Sequence, residues 1–166
     1  MKKAIFAVTL ILGLAGVAWG QTPHQHAAVT VIDGSKNPEL VPDSTAYRLV
    51  LLDLSFADNP SDEDKRRQAA HFRDVGLTPS EAIQFSAVLA EFRSAYNAWI
   101  ARWNIAAEAA DGKGVVFDPA PFLQQLEDLI QATRNTLKQN STVDLKVAGY
   151  VQKHKANIQI HKGAAQ

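Results

Sequence analysis

The sequence predicts an all-α protein: a bundle of about five helices around one long central helix, preceded by an extended N-terminal arm. Three observations carry this. Thr78 to Ala110 runs without a Gly and, after Pro79, without a Pro. Within it Phe85, Leu89, Phe92, Tyr96, Trp99, Trp103 and Ala106 alternate at spacings of four and three, which places them on one seam of a helix. Shorter segments with their own helix-start signals flank this stretch on both sides. At 1.5 Å per residue the central helix would be roughly 48 Å long.

The chain has 166 residues. Met1-Lys2-Lys3, the apolar run Ala4 to Val17, and small residues at Ala18 and Gly20 form the three parts of a secretory signal peptide, with cleavage expected before Gln21 or, as an alternative, after Ala18. The apolar run is shorter than the roughly 20 residues of a spanning helix, so no stable membrane anchor is expected after cleavage. The mature chain, about 145 residues, suits one domain with one core. It is expected to be periplasmic or extracellular.

Cysteine is absent, which excludes disulfides, thiolate metal sites and thiol nucleophiles. The 17 basic residues less Lys2 and Lys3 leave 15 against 17 acidic, a net of −2, so no basic field for nucleic acid is predicted.

Residues 21–42 read as the flexible or extended arm. Gln21 to Val29 is polar, and its His24 and His26 are weighed as a loose metal pair against a plain tail. Asp33-Gly34, Asn37-Pro38 and Val41-Pro42 predict turns and extended backbone rather than helix. The arm either lies on its own core or docks on a partner.

The helical domain is assigned to 43–160. Asp43 is read as the N-cap of a helix over Ser44–Ala57, with Ala46, Tyr47, Val50, Leu51 and Leu54 on one face. Ser61, with Asp64 three positions on, starts a second helix that Gly76 ends. Lys65, Arg66 and Arg67 read as a solvated face. Thr78, Pro79 and Glu81 cap the long helix, and Gly112 is available for a left-handed turn at its end. Asp118 and Pro119 open a fourth helix, with Phe122, Leu123, Leu126, Leu129, Ile130, Thr133 and Leu137 on one face. It should fold back antiparallel, because the connection is short. Ser141 with Asp144 starts a fifth helix over Thr142–Ile158, whose apolar face is read as Leu145, Ala148, Val151 and Ile158. Residues 161–166 close the chain as a tail. Lys146, Lys153, Lys155 and Lys162 read as a solvated basic stripe.

The search for chemistry is mostly negative. There is no Gly-rich phosphate loop, no metal-ligand pair at helical spacing, and no nucleophile elbow. His71 and Asp74 read as a surface pair, and Glu127 and Asp128 diverge around their helix. No cofactor and no enzymatic activity are expected. The distinctive feature is Tyr96, Trp99 and Trp103 on one seam, flanked by Arg93 and Arg102, which are placed to stack on the rings. The seam reads as core first. As a binding surface it would grip an unfolded client or, alternatively, carry a small apolar ligand.

Two segments carry resemblances. Ile32 to Asp43 (Ile-Asp-Gly-Ser-Lys-Asn-Pro-Glu-Leu-Val-Pro-Asp), followed by Ala46-Tyr47-Arg48, resembles a block in small exported bacterial proteins without an assigned function. Gly76-Leu77-Thr78-Pro79-Ser80-Glu81 ahead of a long helix is similar to the Leu-Thr-x-x-Gln signature of Spy/CpxP-like periplasmic helical proteins, with Glu81 in place of the Gln and without a second copy. That resemblance implies envelope stress and the holding of unfolded clients. The expected partners are therefore another envelope protein or an unfolded client, with a homodimer as a further arrangement.

Overall fold

The structure, a computed structural model, describes residues 30–56 and 60–162. The predicted signal peptide and the His24/His26 pair lie outside these residues. The fold is all-α: among the described residues the order is β1 (Thr30–Asp33), a single 3-10 turn (Pro38–Leu40), α1 (Asp43–Leu54), α2 (Asp62–Val75), α3 (Pro79–Asp111), α4 (Ala120–Lys138), α5 (Ser141–Lys155) and β2 (Gln159–Lys162). The chain forms two compact units, one of residues 42–154 and one that joins the N-terminal segment to residues from 155 onward.

The helical unit follows the local signals. In α2 the Ser61 side chain accepts from the Asp64 amide while the Asp64 carboxylate accepts from the Ser61 amide. Thr78 and Glu81 do the same at the start of α3. At the end of α2, Gly76 adopts φ 84°, and the Gly76 and Leu77 amides donate to the carbonyls of Arg73 and Phe72. This closes α2 with a left-handed turn that only glycine enters without steric cost.

Five helix ends differ from expectation. Asp43 is the first residue of α1 rather than its cap, and the helix stops at Leu54. At the end of α3 Gly112 stays right-handed, and Gly114 at φ 63° makes the left-handed turn, with the Gly114 and Val115 amides donating to Asp111 and Ala110. The left-handed turn thus falls two residues past the first available glycine. The N-cap of α4 is Pro119, though the Asp118 carboxylate still accepts from the Ala120 amide at 3.0 Å. Before α5 it is Asn140, not Ser141, whose side chain accepts from the Val143 amide.

Helix α4 runs antiparallel to α3. Trp99 and Trp103 near the end of α3 meet Phe122 at the start of α4, while Gln84 near the start of α3 is hydrogen-bonded to Asn140 just past α4's end. Helix α1 packs on both. The core of this unit is Ala46, Tyr47, Val50, Leu51 and Leu54 of α1, Phe72 and Val75 of α2, Phe85, Leu89, Phe92 and Trp99 of α3, Leu126, Ile130 and Leu137 of α4, and Val143, Val147, Tyr150 and Val151 of α5. Phe72 and Phe85 rings meet at 5.6 Å across the α2–α3 corner. Within α5 the expected face is corrected: Leu145 is 72% exposed, and Val143, Val147 and Tyr150 are buried with Val151. Leu145 lies on the far side of the helix from them.

The second unit replaces two expectations. In place of a free basic tail, β2 pairs antiparallel with β1 of the extended N-terminal segment, Ile32 opposite Ile160 and Val31 opposite His161. The helix stops at Lys155, and the Ile158 amide donates to the Lys155 carbonyl in the turn that leads into β2. The Gly34 amide donates to the Ile158 carbonyl at 2.9 Å. A Cβ at Gly34 would sit 1.9 Å from the Lys155 carbonyl oxygen and 2.8 Å from that of Ile158, so close backbone approach, rather than a turn, requires this glycine. The basic stripe does not form a solvated run: Lys146 is ion-paired and Lys155 is buried.

Candidate functional site

The aromatic seam of α3 becomes a continuous ladder of rings. Phe92 stacks on Tyr96 at 5.8 Å, Tyr96 on Trp99 at 5.6 Å, and Trp99 meets Trp103 at 5.4 Å. The ladder then leaves α3: Trp103 makes edge contacts with Phe117 at 5.0 Å and Phe122 at 5.7 Å, and those two rings meet each other at 5.6 Å. Heptad spacing puts the α3 rings one above another, and the return of the chain brings Phe117 and Phe122 against the last of them. Trp99 is buried, and its indole N–H donates to the Phe122 carbonyl at 2.8 Å. That bond satisfies a buried donor. Tyr96 and Trp103 are half-buried.

The two flanking arginines do not share an environment. Arg93 is half-buried, and among the described residues its Nε has no hydrogen-bond partner. Arg102 is exposed on the opposite flank. The arginine seated over a ring is instead Arg134, 4.4 Å from the centre of Tyr47, with Asp43 at 4.0 Å from its guanidinium. Burial raises the Tyr47 hydroxyl above its ordinary range, and Arg134 opposes the shift.

Beyond Trp103 the α3–α4 hairpin exposes apolar side chains. Ile105 is 66% exposed, Val115 58% and Val116 94%. The sequence reading passed over Val115-Val116-Phe117 as mere connection. The signal was there: three apolar residues between Gly114 and Asp118, in a loop that needed none. Next to this loop a groove of about 180 Å³ separates α1 from α4, lined by Ser44, Thr45 and Arg48 on one side and Leu123, Leu126, Glu127 and Ile130 on the other. Leu126 and Ile130 form its buried floor, and Leu123 is 51% exposed on its wall. Arg48 and Glu127 line the same groove, yet among the described residues neither forms an ion pair with the other or with a third group.

A polar cluster lies between α2 and α5. The Tyr150 hydroxyl is 3.5 Å from Nδ1 of His71, and the His154 ring stacks on Tyr150 at 3.9 Å while its Nδ1 lies 2.9 Å from the Tyr150 carbonyl. Burial raises the Tyr150 hydroxyl, reinforced by the charges of Asp53 and Asp74. The expected His71–Asp74 surface pair is thus a His71–Tyr150 contact between helices. Among the described residues no group of three or more His, Cys, Asp or Glu side chains is placed to hold a metal ion, and no helix is long and apolar enough to cross a membrane.

No family model, curated protein or solved structure matches this chain.

Proposed function

We propose that this is an exported, non-enzymatic protein that holds another polypeptide, in the manner of a chaperone-like envelope protein, on the apolar end of the α3–α4 hairpin. The observation that carries the reading is the exposure of Ile105, Val115 and Val116 at one end of a long hairpin. Apolar side chains left in water at a projecting end favour contact with a partner's apolar surface. The N-terminal leader signature and the Leu77–Glu81 resemblance support the exported, client-holding form of the reading. The inward seam argues against an apolar ligand carrier on Tyr96, Trp99 and Trp103, since the chain's own Phe117 and Phe122 already cover its end.

The test is suppression of aggregation of a chemically denatured protein by the mature chain at near-stoichiometric ratio, followed by light scattering. Wild type is expected to suppress, and Ile105→Ser/Val115→Ser to lose most of the effect while keeping its helical circular dichroism. No suppression by wild type, or equal suppression by the variant, would overturn the proposal.

A further inference from the structure

The loop at the end of the hairpin and the groove between α1 and α4 are complementary in shape class and in charge. Lys113, Val116 and Asp118 give the exposed loop an order of cation, apolar side chain, anion. The groove offers an apolar floor, Leu126 and Ile130, with an anion, Glu127, and a cation, Arg48, at its edges. A groove of about 180 Å³ has room for a valine side chain. We propose that a second copy of this chain occupies the groove, its Val116 resting on Leu123, Leu126 and Ile130, its Lys113 facing Glu127 and its Asp118 facing Arg48.

Three points favour a second copy over other occupants. The loop carries one cation, Lys113, and one anion, Asp118, and the groove carries one of each, Arg48 and Glu127, so each charge of the loop has an opposite charge to face. Arg48 and Glu127 carry no ion pair among the described residues, so neither must be released before binding. The loop and the groove also lie at the same end of the hairpin, because Phe117 and Phe122 touch and Leu123 follows directly. A patch that holds both halves of a contact is self-complementary, and a two-fold axis through it closes the pair without leading to a chain of molecules. Two loops in two grooves fall short of the ~1,600 Å² of a standard interface, so the dimer should be weak and concentration-dependent.

The experiment is sedimentation of the mature chain over roughly micromolar to millimolar concentration. The side chains of Lys113, Val116 and Glu127 are exposed and make no hydrogen bond or ion pair among the described residues, so variants there keep the fold, which helical circular dichroism checks. Wild type should dimerise. Val116→Ser should abolish the dimer. Lys113→Glu and Glu127→Lys should each weaken it about tenfold, since the contact occurs twice per dimer, and the double variant Lys113→Glu/Glu127→Lys should recover it. A structural role for either residue would not produce that recovery. A chain monomeric throughout the range overturns the proposal, as does a dimer indifferent to Val116→Ser or a double variant no better than the singles. If a monomeric chain still suppresses aggregation, only self-pairing is lost and the client reading stands.

Discussion

Glu81 does two jobs with one carboxylate. It accepts from the Thr78 amide to close the capping box and sits 2.6 Å from the Lys146 ammonium of α5. Together these hold its carboxyl at about 2, the hydrogen bond with Lys146 being the largest cause, against 4.5 for an unperturbed glutamate. A carboxyl whose folded value is depressed adds stability that is complete above its unfolded value and disappears as pH falls through the folded one. The urea midpoint of wild type should therefore exceed that of Glu81→Gln near neutrality, and the difference should shrink from pH 4.5 downward and vanish near pH 2. A gap independent of pH would remove the ion pair from the explanation, because Gln retains the capping geometry. Trp99 is the other residue on which much depends. Trp99→Ala removes a buried indole and its bond to Phe122, and should cost about 3–5 kcal/mol in chemical denaturation. A loss below about 1 kcal/mol would mean the ring is not packed as described.

At the scale of elements, α5 shows how composition alone misleads. Leu145 is a larger apolar residue than Val143 or Val147, and a reading by hydrophobicity chooses it for the core. Its neighbours decide otherwise: Val143, Val147, Tyr150 and Val151 cover a contiguous face at helical spacing, and Leu145 projects from the opposite side. Val147→Ala should accordingly cost about 2 kcal/mol through two lost methyl groups, whereas Leu145→Ser should stay within about 0.5 kcal/mol of wild type. Thermal or urea melts of the two variants, compared side by side, check this. The reverse order would restore the Leu145 face. Lys146, next along the chain, is turned to meet Glu81 by the same rotation of the helix.

At the scale of the whole molecule, the helical unit places its aromatic ladder and its most exposed apolar side chain, Val116, on the same hairpin. The ladder from Phe92 to Trp103 runs along α3, and the contact with Phe117 and Phe122 ties the loop to it. Val115 and Val116 are thus presented on a braced support rather than on a free strand. A rigid apolar projection loses little entropy when it is covered, which favours its use as a contact surface. Client holding and self-pairing would draw on the same end of the molecule. A dimer that covers Val116 would withdraw part of the client surface at high protein concentration.

Much of this was legible in the chain alone, wherever the information is local. A capping box needs residues three apart, so Ser61–Asp64 and Thr78–Glu81 declare two helix starts without reference to the rest of the fold. A heptad is a property of one helix, so the seam of α3 and the buried residues of α1 could be listed from spacing. What only the tertiary structure decided depends on groups far apart in sequence. Pairing of Ile32 with Ile160 needs both ends of the chain, and no local pattern in either marks the other. Gly34 is required by two carbonyls of the 155–158 turn, which sequence spacing cannot reveal. Whether Trp99 faces solvent or core depended on where α4 returns, and the groove is lined by residues of α1 and α4 that lie some eighty positions apart in sequence. The sequence determined which segments are helices and what each would bury; the structure decided which faces meet, since that depends on contacts between segments rather than on the backbone preferences within them.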